Sequence, residues 1–134
     1  MNIASVRAGL KTRLATISGL RCYETIPDQF SPPAAIVGMP TSIVFDFVYQ
    51  RAADRMTYPV RILVGKATDR SAQERLEQYL DGSGALSVKA AIEGDPSLGG
   101  AANVTRVLSA QGLGVYDMGG VSYLGCDFTV EVIC

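Results

Sequence analysis

The sequence contains no histidine and no tryptophan among its 134 residues. Without histidine, a Ser-His-Asp triad, a Cys-His catalytic pair and a histidine-ligated zinc or haem site are excluded. No apolar run approaches the ~20 residues that a membrane-spanning helix needs. The three cysteines form no Cys-x-x-Cys pair and are odd in number, which disfavours a disulfide-stapled secreted scaffold and suits a reducing compartment.

The residues that are present are those of an ordinary folded domain. Hydrophobic residues make up 48% of the chain and charged residues 19%, so a disordered, strongly charged chain is excluded. A chain of this length buries enough surface for one hydrophobic core. We therefore predict a single domain over residues 1–134.

The formal net charge of −1 conceals an uneven distribution of charge along the chain. Residues 1–23 carry four bases and no acid, whereas residues 90–134 carry one base and five acids. This split could align copies of the chain head to tail or set the charge of a channel lining. It could equally reflect a basic helix that complements an acidic sheet within one protomer. The pI near 5.3 argues against a dedicated nucleic-acid binder.

Hydrophobic periodicity predicts an α+β fold. Apolar residues recur every three or four positions in residues 2–17, which predicts an N-terminal helix, and the apolar-polar alternation of residues 121–133 predicts a strand. The predicted architecture is a mainly antiparallel sheet flanked by that helix and a central helix pair, with a long β-hairpin at about 42–65. The predicted helices are 2–17, 69–80 and 86–93, and the predicted strands are 20–24, 34–37, 42–50, 55–65, 102–111 and 121–133.

One proline and one glycine-rich stretch limit where strands can be predicted. Because Pro59 cannot donate a ladder hydrogen bond, it should mark a sheet edge or a bulge. The glycine-rich stretch 112–120 precedes a strand and lacks the third glycine of a dinucleotide-binding loop, since Asp117 stands there. We predict a turn in this stretch.

Aromatic residues line one face of the predicted hairpin. Phe45, Phe47 and Tyr49 share a face of the first strand, beside Tyr58 of the second. The stripe is typical of core packing. Alternatively, the hairpin extends from the domain to contact a neighbouring subunit, which would explain its charged tip at residues 51–55.

Motifs that would indicate an enzyme are absent from the sequence. It has neither a phosphate-binding G-x-x-x-x-G-K-[ST] loop nor a G-x-S-x-G nucleophile turn. Carboxylates such as Asp127 and Glu131 lie on a predicted solvent face, where they indicate ordinary surface charge. We predict no catalytic residue, no cofactor and no metal site.

Ten short stretches, in one order along nearly the whole chain, carry a family resemblance. The chain resembles the tail terminator, or tail-completion, proteins of long-tailed actinobacterial bacteriophages. The stretches are VRAGL (6–10), LATISGLR (14–21), IPD (26–28), PPAA (32–35), YPVRILVG (58–65), DRSAQERL (69–76), GSG (82–84), SVKAAI (87–92), YLGC (123–126) and VEV (130–132).

The resemblance implies a structural protein of the virion, located at the tail and neck and assembled in the host cytoplasm. Six copies would form a ring at the head-proximal end of the tail tube, stop its polymerisation and join the head connector. Phage DNA would pass through the lumen without sequence-specific contacts, and no membrane or cofactor would be involved. The alternatives are another ring protein of the neck or tube, or a small enzyme or ligand-binding domain.

Within such a ring, the charge split and the hairpin pattern suggest where the contacts lie. The predicted subunit-interface residues are Phe45, Phe47, Tyr49, Arg51, Asp54, Arg55, Tyr58, Arg7 and Lys11. The predicted lumen residues are the acids Asp46, Asp117, Asp127 and Glu131.

Overall fold

Three α-helices and six strands are present in the part of the chain that the computed structural model describes, which is residues 3–17, 19–23, 33–45, 54–66, 70–100, 102–118 and 120–133. The helices are α1 (Ile3–Leu14), α2 (Arg70–Leu80) and α3 (Val88–Glu93), and a 3-10 turn spans Leu98–Gly100. The strands are β1 (Arg21–Tyr23), β2 (Ala34–Val37), β3 (Ser42–Val44), β4 (Arg55–Lys66), β5 (Val104–Met118) and β6 (Val121–Ile133).

The strands form one mixed sheet, which confirms the predicted α+β class. Its order is β1-β2-β4-β6-β5, and β3 pairs with β4 beyond the end of β2. Only the β1–β2 pair among these described strands is parallel. The long strands β4, β6 and β5 lie side by side, and β5 is the outermost strand on its side of the sheet.

The helices cover one face of this sheet. Alternate residues of β4 from Met56 to Val64 and of β6 from Cys126 to Val132 are buried on that face, as period-two patterning predicts. Helix α2 packs on β4 and β6, α3 packs on β5, and α1 packs on β2 and α3. The opposite face of the sheet is called the open face below.

The stripe of apolar residues predicted for the first helix is confirmed. Val6, Leu10 and Leu14 are fully buried, and Ile17 is buried just beyond the end of α1. The short helix α3 begins at an N-cap, where Ser87 Oγ accepts a hydrogen bond from the Ala90 amide at 3.1 Å. These caps and contacts fix the helices over the sheet.

The prediction for Pro59 is wrong. Pro59 lies inside the sheet, with β6 on one side of β4 along its length. On the other side, β2 pairs with residues 60–63 and β3 with residues 55–57, so Pro59 falls between the two partners. Its carbonyl accepts from the Gly38 amide at 3.0 Å. The nitrogen of Pro59, which carries no hydrogen, therefore lies beside the connection between β2 and β3, where no strand needs a hydrogen bond from it.

The prediction of a turn at 112–120 is also wrong for most of its length. Strand β5 continues to Met118 and pairs with β6 throughout. Two bulges, after Val107 and after Gln111, absorb the extra residues. For the predicted hairpin at 42–65, β3 pairs with the start of β4, and residues 46–53 lie outside the described residues.

Cys126 is buried on the helix-covered face, as its position in the alternation predicts. Burial raises the pKa of its thiol to about 12, and the neighbouring Asp127 adds to the increase. Because the thiolate is the reactive form, we expect iodoacetamide at pH 8 to alkylate Cys126 about a thousandfold more slowly than an ordinary thiol. Peptide mass spectrometry in native buffer and in denaturant measures this difference; rapid alkylation in native buffer would contradict it.

Candidate subunit interface

Strand β5 presents a long free edge. Its 15 residues pair with β6 on one side and have no strand partner on the other within the described residues. Unpaired edges bind other strands, so soluble proteins commonly protect them with lysine, proline, bulges, a covering helix or short length. β5 contains neither lysine nor proline, and its only charged residues are Arg106 and Asp117, but two bulges interrupt it.

Large apolar side chains are exposed along this edge strand. Val115 is 60% exposed and Leu113 is 57% exposed, and Val104 and Leu108 are also exposed. Leu113 stands at the second bulge, and Val115 is paired with Leu124 of β6. A long strand edge without lysine or proline that carries several exposed aliphatic side chains is typical of a protein–protein contact surface.

The second bulge is held by side chains of the open face. Gly112 adopts a φ of 65°, a conformation that favours glycine, and its carbonyl accepts from the Tyr116 hydroxyl at 2.6 Å. The guanidinium of Arg61 lies 4.5 Å from the centre of the Tyr116 ring. The Tyr116 hydrogen bond and the Arg61 contact therefore stabilise the bulged conformation of β5 beside Leu113.

A carboxylate covers β5 near its first bulge. The Val107 amide donates to Glu93 Oε2 at 3.0 Å, and Lys89 pairs with the same carboxylate. Burial alone would raise the pKa of Glu93, but the hydrogen bonds from Lys89 and from the Val107 amide outweigh it and lower the pKa. Helix α3 thus occupies one backbone donor of the edge strand with a charged group.

A second exposed apolar group lies at the opposite side of the sheet. Strand β3 pairs with β4 only, within the described residues, and Val44 at its end is exposed. Phe45, which follows it, is 63% exposed. The edges of β5 and β3 thus flank the β4–β6 pair from opposite sides, and β1 is the outermost strand on the β3 side within the described residues.

The predicted interface residues have different locations. Arg55 is exposed at the start of β4, opposite Val44, while Arg7 and Lys11 are half-buried on α1 and each interacts with another group of the chain. Asp54 just precedes β4 and is partly exposed. Phe47, Tyr49 and Arg51 lie outside the described residues.

Tyr58 is removed from the interface candidates. Its side chain is fully buried under the helices, and its hydroxyl contacts Met56 Sδ at 3.5 Å. A side chain enclosed by its own protomer cannot contact a neighbouring subunit. The alternation of β4 placed Tyr58 beside the aromatic stripe of the hairpin, but that face of β4 is the one that the helices cover.

The predicted lumen acids do not form one acidic surface. Asp127 and Glu131 lie on the open face, where each is paired with an arginine, Arg61 and Arg106 respectively. Asp117 lies on the other face of the sheet and accepts a hydrogen bond from Ser122 at 2.5 Å. Asp46 lies outside the described residues.

The Arg61–Asp127 pair is bidentate, with N–O distances of 2.9 and 3.2 Å. Both side chains are partly exposed, so solvent screens their attraction. We expect a double-mutant cycle with R61M and D127N, followed by urea unfolding, to give a coupling free energy of about 0.5–1 kcal/mol. R70M, on the exposed start of α2, is the control and should leave stability nearly unchanged. A coupling free energy of zero would contradict the paired geometry.

Other surface features have simpler explanations. A cavity of about 550 Å³ lies between α1 and the loop after α3, lined by Arg13, Asp95 and Leu98 among others. The Asp95 carboxylate accepts from the Ser97 hydroxyl and amide and from the Gly99 amide, which lowers its pKa. These bonds are those of a local turn, so Asp95 serves the loop itself.

The sequence does not identify Leu113 and Val115 as exposed strand residues, because the glycines around them predict a turn. The signal that could have identified them is the interleaving of glycine with Leu, Val and Tyr, which also occurs in bulged strands. The contact between Glu93 and Val107 joins residues 14 positions apart and has no sequence signal.

Comparisons with known proteins identify no family or relative for this chain. The chain matches no model of a known protein family and aligns with no curated protein. No cluster of potential metal ligands occurs among the described residues. None of the helices in the described ranges is long and apolar enough to cross a membrane.

Proposed function

We propose that this chain is a structural protein that assembles into a closed ring, as a phage tail terminator does. The observation that carries the proposal is the long outer edge of β5, which has no lysine or proline and carries exposed aliphatic side chains. Exposed strand edges of this kind are sites of strand addition between chains. The resemblance of the sequence to tail terminators supplies the specific role.

The positions of the free edges favour a ring over a symmetric dimer. β5 and β3 lie on opposite sides of the sheet, and both present exposed apolar residues. Contact between two different surfaces of identical copies is heterologous, and such contacts close into rings when the rotation per copy divides a full turn. We expect six copies, as the resemblance implies.

In the virion, the ring would cap the head-proximal end of the tail tube, stop its growth and join the head connector. DNA would pass through its lumen. On the open face, Arg61 balances the charge of Asp127, and Arg106 balances the charge of Glu131. A wall with balanced charge adds little affinity for phosphates, which suits a channel through which DNA slides.

Native mass spectrometry of the purified chain tests the ring. We expect one closed species of six copies with no longer polymers. A chain that stays monomeric at the highest concentration reached would refute the ring. Adding the chain to polymerising tail-tube protein of the same phage tests the role: a terminator halts tube growth, whereas incorporation along the tube would identify a tube-like protein.

A further inference from the structure

The edge of β5 is divided into two unequal parts by helix α3. The amide of Val107 is already bonded to Glu93, and α3 packs against β5. Glu93 is itself held by Lys89, with Nζ 2.5 Å from Oε2. At the first bulge, therefore, a side chain of the same protomer occupies one backbone donor of β5.

Beyond that bulge the edge is open. Residues 109–118 pair with β6 and have no strand on their outer side within the described residues. This part carries Leu113 and Val115, the most exposed aliphatic side chains of β5. It is long enough to receive a strand of typical length, about 5–6 residues.

We propose that residues 109–118 receive the β3 edge of a second copy, residues 42–45, and that Glu93 fixes the register of this contact. The proposal rests on the proposed function, since it names the contact that builds the ring. β3 is favoured over β1, the outermost strand on the side of the sheet away from β5, because Val44 and Phe45 at the end of β3 are exposed apolar residues.

Glu93 fixes the register by competing with an incoming strand. A strand that slid toward Val104 would bring its backbone carbonyls to the Val107 amide, which already donates to a carboxylate. Displacing that carboxylate would break its hydrogen bond and bring backbone oxygens close to a negative charge. Addition beyond the bulge meets no such competitor, so one register is selected.

The first test compares V115K with V104K in the full chain, by native mass spectrometry across a dilution series. Both valines are exposed on β5, at 60% and 46%, and both variants add the same charge. Because lysine opposes strand addition, V115K should raise the dissociation constant of the ring at least about tenfold. V104K lies outside residues 109–118, on the other side of the Glu93–Val107 contact, and should change the dissociation constant less than about twofold.

The second test measures hydrogen exchange at the Val107 amide in E93A and E93Q. E93A should accelerate exchange at least about tenfold, whereas E93Q, which keeps an acceptor oxygen, should retain most of the protection. Equal exchange in E93A and the wild type would overturn the role of Glu93. A wild-type ring that V104K dissociates as fully as V115K would overturn the register proposal alone, whereas a monomeric wild type would overturn the proposed function as well.

Discussion

Replacing Tyr58 by alanine is expected to lower the free energy of unfolding by about 3–5 kcal/mol, measured by urea denaturation. The side chain is fully buried beneath the helices, so its removal leaves a large cavity among packed neighbours. Its hydroxyl contacts the thioether sulfur of Met56 at 3.5 Å. Y58F keeps the buried ring and removes only the hydroxyl, so it should cost clearly less than Y58A, about 1–2 kcal/mol.

This pair of variants also separates folding from assembly. If Tyr58 belongs to the core, Y58A loses stability as a monomer and Y58F assembles as the wild type does. A Y58A variant of unchanged stability that failed to assemble would instead restore Tyr58 as an interface residue.

The second large effect is expected at Gly125, where valine should prevent the chain from folding and alanine should cost at least about 3 kcal/mol. A Cβ at this position would overlap the Ile62 carbonyl oxygen of β4 and contact Leu63 Cδ2. The backbone of β4 cannot move away without breaking its pairing with β6. The measurement is circular dichroism for G125V and urea denaturation for G125A.

Gly82 provides the matched control for Gly125. A Cβ at Gly82 meets nothing within 4 Å, so G82A should change stability by less than about 0.5 kcal/mol. A fully stable G125V variant would show that the close approach of β4 and β6 at this point is not required for the fold.

The elements that the sequence predicts well are those with a simple period. The three-and-four spacing from Val6 to Leu14 identifies α1, and the alternation from Met56 to Val64 identifies β4. Each pattern reports the burial of one face, which depends on local geometry alone. The sequence predicts β5 less well, because bulges interrupt its period and its glycines resemble those of a turn.

The candidate interface depends on relations that no local pattern contains. Whether β5 lies at an edge depends on the strand order, and whether that edge is free depends on Glu93 in a distant helix. Alternation could not show which face of β4 the helices cover, so Tyr58 was assigned to the interface although it lies in the core. Acids identified by sequence, such as Asp127, have their charge balanced by arginines on neighbouring strands.

Cryo-electron microscopy of the assembled chain, at a resolution that separates strands, shows whether copies assemble through residues 109–118 of β5. We expect a closed ring in which a strand of the neighbouring copy is hydrogen-bonded to residues 109–118, at the usual spacing of about 4.8 Å between paired strands. A ring whose subunits meet elsewhere, with the β5 edge facing solvent, would contradict it.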